Sequence, residues 1–452
     1  MLDQVSTPQD GVVDVDIARR TVFDKPDALR GVRVVELATL VLGPAAASFL
    51  AEMGAEVIKV ELPPAGDTMR YITPGQFWKD ASLGFQPVNH NKLHVGLDVH
   101  NADGQLLFKQ LVARADVVIE NLKAGAMERK FGLGYRQLRD VNPSLVYLAN
   151  TGFGQWGPFS SGRASYDALA QAASGFAAIS HFRGRPPLKT NTFIGDWTGA
   201  CLSATAVMIA LFHRRRTGRG QFIDFAQSEG LIRLLDWTWA YIGLTGRDRE
   251  PLGNLDVAMS PAAIFPSRNG PVAIAAPLDL EFRGLCQAMG QPELADDVRF
   301  EGQAARLVEE NLAILHDIVG HWVQRQTSEE VVRVAQECGF AAAPVVCSRD
   351  QYQNEHLRAR GAVWQFEDPV YGEAVEYGPV PKMSASPGRV RWTARPVGFD
   401  NAYVFGTLLG MSSRRISELE AAGAISSWDD RPGARPPADW NGEGLLVGRN
   451  GR

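Results

Sequence analysis

The run Thr192-Phe193-Ile194-Gly195-Asp196-Trp197-Thr198-Gly199-Ala200 sets one acid between an apolar, strand-like stretch and the start of a long helical segment. A carboxylate at a helix start meets the positive end of the dipole and amides that no helical carbonyl serves, so its anion is favoured. An anion so placed can act as nucleophile or general base. The same placement describes an N-cap, worth ~1 kcal/mol and no chemistry. A second acid stands 29 residues upstream, where Gly162-Arg163-Ala164-Ser165-Tyr166-Asp167 opens the helical run Ala168 to Ala178. It too has the cap as its plain alternative. If both helix starts meet in one cleft, their like charges raise the pKa of one of the pair.

Positioning these groups falls to a repeated strand–helix pattern. Val32 to Leu37 reads as a strand, Thr39 to Pro44 as a loop, Ala45 to Met53 as a helix closed by Gly54, and Glu56 to Val60 as the next strand. That is a βαβ unit, which implies a parallel sheet. Asp116–Glu120, Leu145–Ala149 and Gln221–Phe225 read as further strands, and 198–216 as a helix stopped by Gly218. The fold class is therefore α/β, with a Rossmann-like large domain and a smaller α+β domain. No GxGxxG follows the first strand, which argues against a dinucleotide-dependent dehydrogenase. The predicted organisation is an arm (1–27), the first part of the large domain (28–226), a small domain (250–350), a return to the large domain (380–425) and a flexible tail (426–452). Trp237, Trp239 and Tyr241 alternate in a way that suits core or interface as well as a binding platform.

Composition narrows the function. Lys and Arg number 46 against 51 Asp and Glu, a net charge of -5, so neither nucleic acid nor an anionic membrane is implied as partner. The group His213-Arg214-Arg215-Arg216 suits a helix end, with a phosphate contact as the alternative. The cysteines, 201, 286, 338 and 347, are dispersed without a CxxC pair, so no zinc or disulfide framework is expected. The opening residues are acidic where a secretory leader is basic and then apolar. The most apolar stretch, Cys201 to Phe212, falls short of the ~20 residues that span a bilayer. The expectation is a cytoplasmic protein with no membrane association.

Eight segments in one order carry a resemblance: LRGVRVVELATLVLGP, GAEVIKVE, GDTMR, NHNKLHVGLDV, ADVVIENLKAGAMERKFGLGY, GRASYDALAQAASG, GDWTG and RRTGRGQFIDFA. Together, from about Leu29 to Ile425, they resemble the family III CoA-transferases, the formyl-CoA and carnitine CoA-transferase (CaiB/BaiF-like) family, with the α-methylacyl-CoA racemases as relatives. The resemblance implies that Asp196 is the nucleophilic aspartate, supported by Tyr166, Asp167, Gly195 and Gly199. It implies CoA contacts at Val41, Leu42, Leu97, Val99, His100, Asn121, Leu122, Lys123 and Arg129. It further implies an interlocked homodimer, with a paralogous heterodimer as the variant, and acyl-CoA and a carboxylic acid as substrates. No metal and no permanently bound cofactor is expected. Backbone amides at Trp197–Gly199 are candidate oxyanion donors.

The sequence departs from the formyl-CoA transferases at Val41, where they carry glutamine, and at Leu62, where they carry arginine, and it lacks their glycine-rich flap. Formate and oxalate are thereby disfavoured against larger acids. The racemases carry histidine at the place of Tyr166, and a tyrosine titrates near ~10, far from neutral proton exchange. The implied activity is transfer of CoA from an acyl-CoA, with succinyl-CoA as candidate donor, through an aspartyl-CoA thioester. The alternatives are a 2-methylacyl-CoA racemase and a non-catalytic CoA-binding partner subunit.

Overall fold

Strands buried on both faces need apolar residues at consecutive positions, and that requirement shapes the main sheet. A computed structural model describes residues 19–63, 66–72, 81–160, 163–256 and 258–427. Its parallel strands are Arg33–Leu37 (β1), Glu56–Glu61 (β2), Lys92–Leu97 (β3), Val117–Glu120 (β4), Val146–Thr151 (β5) and Phe222–Ala226 (β6), in the order 3-2-1-4-5-6. Ile425–Ser426 adds antiparallel to the outer edge of β3. Val34, Val35, Val57, Ile58, Val117, Val118 and Ile119 are completely buried. The order reverses between β1 and β4, and sheets of this kind bind ligands where the strands' carboxyl ends open at that reversal.

The helices that matter for the site are Leu42–Glu52 (α1), Ala102–Val112 (α2), Ala126–Phe131 (α3), Asp167–Ala173 (α4), Ile194–Thr217 (α5) and Gln227–Ile232 (α6). Two starts differ from the sequence expectation. Helix α1 begins at Leu42 rather than Ala45, and α5 begins at Ile194 rather than residue 198. Asp196 therefore lies inside the first turn of α5, and Phe193 and Ile194 are helix start rather than strand. Helix α5, at 24 residues, is long and apolar enough to cross a membrane, so the apolar stretch is not as short as Cys201–Phe212 suggested. One face of it packs in the core, where Val207, Ala210 and Leu211 meet Leu50 and Ala51 of α1 and Val117 and Val146 of the sheet, while Leu202, Met208, Ile209 and Phe212 are exposed.

Below the β1–α1 loop lies a buried ion network. Lys59 Nζ lies 2.8 Å from Glu36 Oε1 and 2.9 Å from Asp67 Oδ2, and Lys92 Nζ lies 2.6 Å from Glu36 Oε2. Arg70 bridges Glu61 at 2.6 Å. Asp67 Oδ1 also accepts the backbone N–H of Leu40 at 2.8 Å, where Leu40 holds a left-handed φ of 67°. A non-glycine residue there is strained and is retained only when its surroundings hold it. The network thus fixes the loop that follows β1.

The chain divides into two compact units. One comprises Met1–Phe176, Thr190–Asp236 and Glu355–Arg452, and the other Ala177–Lys189 and Trp237–Asn354. In the second, Ala262–Pro266 (β7), Pro271–Ala275 (β8) and Ala341–Pro344 (β9) form an antiparallel sheet. Helices Asp279–Ala288 (α7), Glu309–Val323 (α8) and Ser328–Cys338 (α9) pack on it around Phe265, Phe282, Leu285 and Leu315. The chain re-enters the first unit at Glu355 rather than near 380. The reason is the hairpin Val363–Asp368 (β10) and Gly372–Tyr377 (β11), whose Trp364 packs with Val22 and Val390 of that unit. The described end of the predicted arm is tied there too: Arg389 Nε donates to Val22 O at 2.7 Å, and Arg391 Nη2 meets Asp27 Oδ1 at 2.7 Å. Residues 1–18 and 428–452, most of the predicted arm and tail, lie outside the described residues.

Candidate active site

Helix α5 begins without a side-chain cap from Phe193, so its first amides need another acceptor. Asp167, the first residue of α4, supplies it. Its Oδ1 accepts the N–H of Gly195 at 2.7 Å and that of Asp196 at 3.4 Å. Its Oδ2 accepts from Gln171 Nε2 at 2.6 Å, and Gln171 Oε1 in turn accepts the N–H of Thr190 at 2.9 Å. The two acids therefore do converge, 29 residues apart in sequence. The cap is Asp167 acting across the fold, and Asp196 caps nothing.

Asp196 points instead at α6. Gln227 Nε2 donates to Asp196 Oδ1 at 2.6 Å, and Oδ2 has no hydrogen-bond partner among the described residues. Gln227 is the first residue of α6 and is 3% exposed. No motif marks it in the sequence; the signal for it is its place, a polar side chain directly after the strand Phe222–Ala226 at the sheet's carboxyl edge.

The electrostatics differ from the simple helix-start argument. Burial pushes the Asp196 carboxyl up, the negative charge of Asp167 adds to this, and the hydrogen bond from Gln227 opposes both, leaving it at about 7. The favoured anion expected from the dipole alone is thus corrected: Asp196 exchanges a proton near neutrality. The expected oxyanion donors change as well. Trp197 N–H already donates to Phe193 O at 2.9 Å, and Thr198 and Gly199 lie deeper in the helix, where amides serve the i−4 carbonyl.

Gly195 and Gly199 act through closeness. A Cβ at Gly195 would lie 3.0 Å from Asp167 Oδ1 and 3.0 Å from Leu231 Cδ1. One at Gly199 would lie 2.5 Å from Leu42 Cδ1, which is how the buried Leu42 enters the site's foundation. Tyr166, the residue before α4, is 63% exposed and lines a cleft of about 240 Å³. Leu40, Asn121, Leu122, Lys123, Thr151 and Arg163 share that lining, so the cleft opens at the carboxyl ends of β1, β4 and β5.

The remaining expected CoA contacts separate into groups. Asn121 clamps the loop after β1, accepting from Thr39 N–H at 2.8 Å and donating to Thr39 O at 2.6 Å. Leu122 N–H donates to Glu120 Oε2 at 2.7 Å, and Lys123 is exposed at the rim. Arg129, on α3, closes the same loop by donating to Ala124 O at 2.6 Å. His100 is exposed, bonds Asp98 Oδ1 at 2.9 Å and sets its ring edge-on to Phe131 of α3 at 4.9 Å. Val41, Leu97 and Val99 have side chains buried in the core. Contact with CoA through those three side chains is not what the structure offers, because strand and helix packing already encloses them.

A doubly wound parallel sheet with a cleft at its switch point, and a pair of acids that follow Tyr166 of its lining and converge on each other, make an α/β fold with a candidate ligand site at the strand ends. The model of CoA-transferase family III matches residues 29–401, and the chain belongs to that family. It is 36% identical over 401 residues to the succinyl-CoA–D-citramalate CoA-transferase of Chloroflexus aurantiacus, covering 88% of this chain and 98% of the relative. It is 35% identical over 395 residues to the alpha subunit of a succinyl-CoA–L-malate CoA-transferase from the same organism, covering 87% and 91%. Among solved structures it is similar to a CAIB/BAIF family protein from Brucella suis, with a TM-score of 0.75 and 29% identity over 84% of this chain and 99% of that one. The chain is thus an enzyme that transfers CoA.

Proposed function

We propose that this enzyme moves CoA from succinyl-CoA to a dicarboxylic acid acceptor through a covalent thioester on Asp196. The observation that carries the reading is the Asp196 carboxylate itself: Gln227 holds one oxygen, and the other has no protein partner among the described residues. Such a carboxylate, titrating near 7, is both available as an anion and reactive. Attack on the donor thioester gives a mixed anhydride and CoA thiolate. The thiolate then attacks the Asp196 carbonyl, releasing the donor acid and leaving aspartyl-CoA, and an acceptor carboxylate runs the steps in reverse.

Acyl-CoA lies in the cleft walled by Asn121, Leu122, Lys123 and Tyr166, with Lys123 and Arg163 as cations toward its phosphates. The choice of donor and acceptor rests on the two Chloroflexus relatives, whose names pair succinyl-CoA with D-citramalate and L-malate. We place the enzyme in the cytoplasm as an interlocked homodimer; the relative with named subunits keeps a paralogous heterodimer open to test.

The test is covalent. Wild-type enzyme incubated with succinyl-CoA and then hydroxylamine should show a hydroxamate mass shift on the Asp196 peptide, and Asp196→Ala and Asp196→Asn should be folded and inactive. A carboxyl near 7 also suits α-proton exchange, so the control is a 2-methylacyl-CoA in deuterated water. Deuterium uptake at the turnover rate, with no modified Asp196, would make the protein an isomerase.

A further inference from the structure

Gln227 is held by two segments at once, and its neighbour by a third. Its Oε1 accepts from Ser165 Oγ at 3.4 Å, before α4, while its Nε2 donates to Asp196 Oδ1 at 2.6 Å, on α5. The next residue, Ser228, donates its N–H to Gly152 O at 3.1 Å, tying the start of α6 to the loop after β5. Gly152 itself admits Ser165, since a Cβ there would lie 1.9 Å from Ser165 Cβ. A buried amide must satisfy both ends, and this one does so with its donor aimed at the carboxylate.

We infer that Gln227 selects Oδ2 of Asp196 as the attacking atom and stabilises the charge that later develops on Oδ1. The inference rests on the nucleophile reading above. Attack by Oδ2 forms an O–C bond to the acyl carbon and expels CoA as thiolate. Oδ1 is then the carbonyl oxygen of the anhydride. When the thiolate sulfur adds to Cγ, the carbonyl π pair moves onto Oδ1, directly against the Nε2 donor. The pair returns as the Cγ–Oδ2 bond breaks, releasing the donor acid as its carboxylate and leaving a Cγ–S thioester. One negative charge is conserved throughout, and no proton or external electron is needed. With Trp197 N–H bound to Phe193 O, Gln227 is the donor that the described residues direct at this oxygen.

Gln227→Met keeps side-chain length and removes the donor. Its kcat should fall about a hundredfold, the usual cost of one oxyanion donor. The KM for succinyl-CoA should stay within a few fold, because the amide contacts Asp196 rather than the cleft rim. Its acid limb should also move to higher pH, since a bond to the charged form is lost. Among charged groups on the elements packed against α5, namely Asp167 on α4, Glu229 on α6, Glu52 on α1 and Asp224 on β6, only Asp167 acts appreciably on Asp196. Gln227→Glu restores a donor only when protonated, so its rate relative to wild type should rise as pH falls, which a purely structural role does not produce. If Gln227→Met fails to fold, Gln227→Glu decides. Hydroxylamine labelling of wild-type Asp196 tests the nucleophile separately. A labelled wild type beside a Gln227→Met or Gln227→Glu enzyme of unchanged rate and profile overturns the role of Gln227 alone, and an unlabelled wild type overturns the nucleophile reading beneath it.

Discussion

Asp167 Oδ1 accepts the backbone N–H of Gly195 at 2.7 Å, so one acid builds the turn that presents the other. The arrangement has an electrostatic consequence, because the negative charge that anchors α5 also hinders ionisation of Asp196.

Asp167→Asn separates the two effects. Its amide oxygen can still accept from Gly195, while the like charge disappears. Asp196 must be ionised to attack, and a like charge disfavours the ion, so removing it lowers the Asp196 pKa from about 7. The acid limb of kcat/KM should move to lower pH. Asp167→Ala, which also loses the anchor, should instead lower both rate and melting temperature. An unmoved limb in Asp167→Asn would show that the two acids do not communicate.

His90 makes stability fall with pH. It is buried, with Nε2 2.9 Å from Glu52 Oε1 and Nδ1 3.7 Å from Glu376 Oε2. Burial pulls the imidazole pKa down, and the hydrogen bonds and charges of Glu376 and Glu52 more than offset this, raising it to about 9. A raised folded pKa gives stability that is complete below the unfolded value of about 6.5 and is lost as pH rises through 9, roughly 3 kcal/mol in all. Lys92, pushed down to about 8 mainly by burial, acts in the opposite sense above that pH. Between pH 6.5 and 8 the raised carboxyls of Asp196, at about 7, and Glu120, pushed by burial to about 8, add to the fall, so the His90 share is the difference between wild type and His90→Gln. Wild-type melting temperature should decline across that range, and His90→Gln should melt lower with a flatter profile. Parallel slopes for the two proteins would rule out His90 as the source.

Strands β1, β4 and β5 are legible because buried parallel strands read as nearly unbroken apolar runs, while β2 and the part-exposed edge strand β6 keep enough apolar residues around Lys59 and Asp224 to be read as well. Strand β3 is less legible, since Lys92 and His94 leave only short apolar stretches in its pattern. Both are fully buried, with Glu36 and Glu61 as partners supplied by other strands. The start of α5 at Ile194 is hidden for a related reason. Thr192, Phe193 and Gly195 argue against helix locally, and the acceptor that permits it is Asp167, 28 residues upstream of Gly195. Asp196 stood out because its neighbours repeat a family motif. Gln227 did not, because a glutamine's worth depends on what its amide faces. Trp237 and Trp239, which suited core as well as interface, are 41% and 67% exposed.

The buried charges below the β1–α1 loop provide the last prediction. Lys59 is completely buried and answers Glu36, Asp67 and the carbonyl of Ala38, the last at 2.9 Å. Removing one partner from a buried ion network leaves the others uncompensated, typically at a cost of about 3–5 kcal/mol. Lys59→Met should therefore lower stability by that order, although methionine fits the space. The damage should also reach the cleft. Asp67 holds Leu40, Leu40 lines the cleft, and Asn121 clamps the adjacent Thr39. An Asp67 left without its counter-ion should loosen this wall and raise the KM for acyl-CoA. Adding Asp67→Asn removes the orphaned charge while keeping an oxygen for the Leu40 amide. The double variant should then be more stable than the sum of the single losses, with a KM closer to wild type. Chemical denaturation of the four proteins measures the coupling, and strictly additive losses would mean that Lys59 and Asp67 do not act as a unit.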